Sequence, residues 1–462
     1  MLPNLMTLLY GISIGWASSN LLLFQTNETP LSFGPLTLLQ TSWIGSILCL
    51  GGAIGQLFFS WLADEYGRKP GLAFAFVPVV LGWILIEFGQ EFYSLLISRF
   101  LSGFAGGAVY QIIPLFVSEV SNVNIRGLLG SFLMLFTNLG TLTGFIICSF
   151  VPYRTVPWIA ISISLVFLLG FCVVPETPKY LLMKKKEQQF LKSIEFYSGR
   201  IASQDEVKKN NEYQCTKNEP TSMKLKTLCN VSSRNGFKLG FTLMSCCCFS
   251  GVFTVLNYTD KIFIEAGSNL TPAISSIIVA SIQLAGSYLA TVIVEKTGRR
   301  ILIICSTYGS AGCLTVMGAH SFLKDIGVDV SAFNWIPLLC LSLLVFIAAN
   351  GATTVSFIII GEIFTQKIRG LAISLCLLYQ WTLAFLLVLI FPYLIEYLKM
   401  YGALWIFSIA GIIIATIMLF ILPETKGKKI DEIVQILGGS PDSRSNSCTG
   451  SIRSKKNEFY PS

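Results

Sequence analysis

Charge is what this chain has least of. Asp, Glu, Lys and Arg together make up 13% of its 462 residues, histidine occurs once, and hydrophobic residues reach 53% with a mean hydropathy of +0.67. That little polar surface excludes a water-soluble globule, and a bilayer becomes the solvent. No nucleophile, metal or phosphate-binding residues stand at a spacing that carries chemistry, so no catalytic residue, metal or cofactor is expected, and the chain does not read as an enzyme. A disulfide framework is also missing. Ten of the thirteen cysteines fall in apolar runs, and Cys215, Cys229 and Cys448 fall in stretches expected to be cytoplasmic. The first apolar run lacks a basic leader and a small-residue cleavage site, so it reads as a transmembrane helix and not as a cleaved signal.

Long apolar runs are what is there. A helix needs about 20 residues at ~1.5 Å each to cross the hydrocarbon. Twelve runs qualify, at 5–24, 43–62, 71–88, 95–117, 128–150, 158–174, 237–258, 274–294, 301–320, 335–361, 371–395 and 403–422. The expected fold is an all-α membrane protein of twelve transmembrane helices in two six-helix bundles, residues 1–175 and 237–425. Residues 176–236 form a cytoplasmic linker with short helices, and 426–462 a cytoplasmic tail, disordered after about 437 because its composition cannot bury an apolar face.

Basic loops stay on the cytoplasmic side. Placing both termini there leaves only Arg99, Arg154, Lys261, Lys324 and Lys399 of the 33 Lys and Arg residues off that side. The net charge of +8 is then a topological signal and an attraction to anionic lipid, with no nucleic-acid partner. The sequons at Asn27 and Asn269 fall in outer loops and are expected glycosylation sites.

The two halves repeat one set of charged motifs in order. Gly67-Arg68-Lys69 returns as Gly298-Arg299-Arg300, Glu119 with Arg126-Gly127 returns as Glu362 with Arg369-Gly370, and Pro175-Glu176-Thr177 returns as Pro423-Glu424-Thr425. All fall at cytoplasmic helix ends, where an unpaired charge beside hydrocarbon costs about 2.5–3.5 kcal/mol. Pairing is the natural remedy. Arg68, Glu119 and Arg126, with Arg299, Glu362 and Arg369, are therefore the expected cytoplasmic gate, two networks meeting across the mouth that part when this side opens. Glycines at 11, 15, 45, 51, 52, 55, 103, 106 and 107 permit close helix contact, equally for gating or for a static bundle.

These motifs, with Arg99-x-x-x-Gly103 and Asp64-x-x-Gly67-Arg68-Lys69, resemble the sugar porter family of the major facilitator superfamily over residues ~11–430. Ser42-Trp43-Ile44-Gly45-Ser46 and Gly15-Trp16-Ala17-Ser18 look most like the insect facilitated trehalose transporter group. The resemblance implies a plasma-membrane carrier with one sugar site at the midplane between the bundles, reached alternately from each side. In that site this chain departs from the family. Met134 stands at the helix 5 glutamine, Cys247-Cys248 at the helix 7 Gln-Gln pair, and Phe253 at the helix 7 asparagine. Gln283 stands for a helix 8 asparagine, Gln380-Trp381 for the Asn-Trp pair in helix 10 or its extension, and Phe357 for the other helix 10 tryptophan. The helix 10 prolines are absent, which puts the usual hinge there in question.

A sugar needs amides for its hydroxyls and an aromatic face for its ring. Gln283, Gln380 and Trp381, with Phe357, Asn257 on helix 7 and Asn138 beside Thr137 and Thr141 on helix 5, are the candidate substrate contacts. Gln283 and Gln380 read equally as interhelical hydrogen bonds, and for Asn138 and Asn257 that reading is the stronger one. Proton-driven members resemble one another in a helix 1 aspartate, and here Ala17 follows Gly15-Trp16. Glu87 and Asp260, near the outer ends of helices 3 and 7, are expected to be wet. The expected activity is facilitated diffusion of a small sugar such as trehalose or a hexose, with a single copy sufficient. A sugar receptor that no longer transports, and a carrier of less polar cargo, remain the alternatives.

Overall fold

A computed structural model describes residues 2–198, 231–266, 270–364 and 368–424, apart from 28, 32, 90 and 122–125, together with 432, 435, 436 and 438. Asn269 and, apart from Gly438, the tail expected to be disordered lie outside the described residues. Every regular element among those described is helical.

The first half contains α1 (Asn4–Leu23), α2 (Leu38–Glu65), α3 (Arg68–Phe74), α4 (Phe76–Phe88), α5 (Phe92–Val120), α6 (Arg126–Phe150) and α7 (Val156–Val173). Two short helices follow, α8 (Pro178–Met183) and α9 (Glu187–Ser198). The second half contains α10 (Val231–Phe249), α11 (Val252–Asn257), α12 (Thr259–Ala266), α13 (Pro272–Thr297), α14 (Arg299–Asp325), α15 (Ile336–Asn350), α16 (Thr354–Ile363) and α17 (Arg369–Ile421). Among the described residues, eleven helical stretches are long and apolar enough to cross a bilayer. The last holds 53 residues, ~80 Å of helix at ~1.5 Å per residue against ~30 Å of hydrocarbon. Lys399, at φ 58° and ψ 177°, breaks it, so α17 crosses twice and the chain crosses twelve times.

Small residues set the packing within the first half. A Cβ on Gly11 would lie 2.1 Å from the Thr137 carbonyl oxygen of α6, and one on Gly103 would lie 1.8 Å from the Leu48 carbonyl oxygen of α2. These glycines let α1 seat on α6 and α5 on α2, backbone against backbone. Gly45 and Gly52 differ. A Cβ on Gly52 would lie 2.9 Å from the Trp381 ring and one on Gly45 3.0 Å from the Tyr258 hydroxyl, both in the other half. The former glycines are architecture, whereas these two keep the seam close.

Three pairings make that seam: α2 with α17, α6 with α13, and α1 with α11 and α12. Two crossings of the second half are broken within the span. Helix 7 divides into α10 and α11 at Gly251, with φ 80°, and helix 10 divides into α15 and α16 at Gly351. Glycine thus supplies at helix 10 the break that the missing prolines left in question. Backbone groups freed by such breaks persist at membrane depth only against protein or a wet cavity.

Candidate functional site

At one end of the bundle the repeated motifs build the same device twice. Glu176 accepts the backbone N–H groups of Arg68 and Lys69, at 3.2 and 3.0 Å, at the start of α3. Glu424 accepts those of Arg299 and Arg300, at 3.1 and 3.2 Å, at the start of α14. Each carboxylate satisfies orphan donors at the positive end of a helix. Gly67 and Gly298 turn the chain into those helices at φ 117° and 94°, and a Cβ on Gly67 would sit 2.2 Å from a Glu176 carboxylate oxygen. Only glycine accepts both the backbone and the contact. Burial pushes the Glu176 carboxyl above the usual carboxylate range, while the N–H groups of Thr177 and Lys69 and the Arg68 charge pull it down.

The ion pairs of the two copies are unequal. Arg68, 3% exposed, forks onto Glu119 through Nε and Nη2 at 3.2 and 3.1 Å, and the Thr177 hydroxyl donates to the same carboxylate at 2.7 Å. In the second half a single bond of 3.3 Å joins Arg299 Nη2 to Glu362, whose other oxygen has no partner. The Arg369 charge stands near Glu362, but its Nε is likewise unpartnered. The side chain of Arg126 lies outside the described residues. Expected to meet across the mouth, the networks instead keep every ion pair within its own half among the described residues.

Nearer the middle, rings fill the seam. Trp381, 7% exposed, meets Tyr10 and Tyr110 edge to face at 6.2 and 5.7 Å, and Tyr110 stacks on Phe357 at 6.0 Å. Cys49, Cys248 and Phe253 complete the cluster. Gln380 donates to the Cys247 sulfur at 3.5 Å. Sequence reasoning puts Gln380 and Trp381 in helix 10 or its extension. The structure corrects this: both lie within α17, on the eleventh crossing, beyond the end of α16 at Ile363.

The remaining candidates are elsewhere. Asn138 donates to Ser287 across the α6–α13 contact, and Gln283, one turn before Ser287, keeps a buried side-chain oxygen without a partner. Asn257 donates back to the Phe253 carbonyl at 2.8 Å and lines a cleft near the other end with Ser18, Gln25, Thr41, Tyr258 and Lys261. Six candidates therefore occupy three places: Gln380, Trp381 and Phe357 the centre, Asn138 and Gln283 the α6–α13 seam, and Asn257 the far end. Tyr10 and Tyr110 were missed, and their only signal was a lone tyrosine in an apolar helix. Arg99 is 1% exposed and is held by Ser13 through carbonyl and hydroxyl at 2.8 and 2.7 Å. Asp260, expected to be wet, is instead buried at 7% because α12 packs it under α1 and α13.

Two helical halves meeting at a seam of rings, amides and broken helices define a membrane carrier of the two-bundle type. Residues 8–437 match the model of the family described as Sugar (and other) transporter, and the chain belongs to that family. It is 28% identical to the facilitated trehalose transporter Tret1 of Bombyx mori over 403 residues, 87% of this chain and 80% of that one. It is also 28% identical to Tret1 of Polypedilum vanderplanki over 433 residues, 92% of this chain and 85% of that one. An inward-open structure of the xylose transporter XylE from E. coli superposes with a TM-score of 0.77 at 20% identity, covering 94% of this chain and 98% of the other, and the shared fold is that of the major facilitator superfamily.

Proposed function

We propose that this chain carries a small sugar, trehalose or a hexose, down its gradient across the plasma membrane, with both termini cytoplasmic and the motif-bearing end inside. The observation that carries this is the central cluster, in which Trp381 from one half meets Tyr10 and Tyr110 from the other, with Gln380 next to it in the chain and bonded to Cys247. Ring faces supplied from both halves, with the Gln380 amide from the second, give a pyranose differential contacts in the two states, which alternating access requires. The names of the relatives support a sugar as cargo.

Facilitated diffusion is supported by α1, which contains no acidic residue, with Ala17 after Trp16. Arg68–Glu119 and Arg299–Glu362, with Arg126 and Arg369, form the inner gate. Their pairs hold the ends of each half together while that side is shut and rearrange as it opens. A second reading, a less polar cargo, rests on Cys247, Cys248 and Phe253 in place of amides. Radiolabelled uptake of trehalose, glucose, fructose and a non-sugar panel in transporter-deficient cells decides between them. Surface-expressed protein with saturable flux of a non-sugar alone would establish the second reading, and no flux at all would favour a receptor.

A further inference from the structure

Asp260 is the second residue of α12, and α12 packs against α1, α11, α13 and α15. Ser276 of α13 donates to its carboxyl, and the Cys148 thiol near the end of α6 is within its electrostatic reach. Cys148 itself accepts from Asn20 of α1 at 3.8 Å, so the carboxyl sits where the halves close on each other at the end away from the charged motifs. The surrounding faces offer no counter-charge. Helices α1, α11 and α15 contain no Asp, Glu, Lys or Arg, and the only charged residues of α13, Glu295 and Lys296, lie at its opposite end. On α12 itself, Lys261 turns to the cleft lined by Gln25 and Asn257, and the backbone carbonyl of Glu265 is taken by Lys324. Among the described residues no Lys or Arg lies within ion-pair distance of Asp260.

An ionised carboxylate buried with one hydroxyl donor and no cation is costly, whereas the neutral acid is not. When α12 parts from α1, water reaches the group and it ionises as an ordinary aspartate does, near pH 4. We propose that Asp260 makes closure of the outer end conditional on one proton taken from the outside, so that external acidity shuts this end. Closing converts the carboxylate to the acid with a proton from outside water, and opening returns that proton to the same side. While the inner end is open the outer packing stays shut over Asp260, so a full cycle moves no net proton. The device therefore sets the outward-open population without coupling transport to a proton gradient. It rests on the orientation and alternating access proposed above.

The test needs no substrate, which keeps it separate from the identity of the cargo. In cells expressing the full chain, an impermeant methanethiosulfonate would be reacted with Gln25→Cys in the outer cleft, over the parental background and normalised to the exposed Asp329→Cys. Lowering external pH from 7.5 to 5.5 should slow the normalised rate, by at most about tenfold per pH unit for one proton. Asp260→Asn should hold the slow, acid-like rate at both pH values. Ser276→Ala, which removes a donor to the ionised form, should move the transition to higher pH and decides the matter if Asp260→Asn fails to reach the surface. A pH-independent rate in the parent, an Asp260→Asn profile like the parent's, or an unmoved Ser276→Ala midpoint would overturn the proposal.

Discussion

Trp381 is the residue on which the central cluster turns, since it touches Tyr10, Tyr110 and the Gly52 face together. Trp381→Leu removes the stacking face and should raise the half-saturation concentration about five- to tenfold, roughly 1–1.4 kcal/mol. An unchanged value in uptake kinetics would remove Trp381 from the site. Gly52→Val puts carbon 2.9 Å from that ring, so uptake should fall to background at normal surface abundance, and retained uptake would show that the seam tolerates the bulk. At this scale the sequence was half legible. Family position marked Trp381 and Gln380, but which side chains of the other half face them depends on how the halves dock, and no periodicity within α1 or α5 reports that. Tyr10 and Tyr110 were invisible for this reason. Asp260 was misread because distance from a helix end says nothing about which neighbour covers it.

Among the elements, the gate helices invite a comparison between the halves. The Arg68–Glu119 fork is buried and the Arg299–Glu362 pair is partly exposed, at 4% and 1% against 17% and 28% of side-chain surface. Glu119→Gln leaves the buried Arg68 guanidinium without its buried counter-charge, with only the exposed Asp64 at 3.6 Å to face it, and should destabilise the protein by about 3–5 kcal/mol, whereas the counterpart Glu362→Gln should cost about 1 kcal/mol or less. Thermal unfolding in detergent measures both, and equal losses would contradict the asymmetry. Gly67→Ala should also destabilise, by about 1–3 kcal/mol, from positive φ and the Glu176 contact together, with a lowered unfolding temperature as the readout. The motifs were legible as paired charges at helix ends. Glu176 and Glu424 as caps of α3 and α14 were not, because a cap joins residues more than a hundred positions apart. The helix 10 break was likewise hidden, since a glycine such as Gly351 reads as readily as a packing residue.

Across the whole molecule the sequence carried most of the architecture, because bilayer thickness dictates span length and duplication fixes the order. Twelve apolar runs became twelve crossings, and the 53 residues of α17 divide at Lys399, between the runs 371–395 and 403–422. Orientation is open to a direct check at Asn27, which is exposed between α1 and α2 at the end away from the motifs. A glycan lost in Asn27→Gln, seen as a drop in mass, would place that end outside, and labelling of that loop from the cytoplasm would place it inside. The central claim is facilitated sugar transport. Radiolabelled sugar uptake in transporter-deficient cells, with and without a proton uncoupler, tests it most directly. Saturable uptake of trehalose or a hexose that the uncoupler leaves unchanged is the predicted result, and sugar uptake abolished by the uncoupler would contradict it.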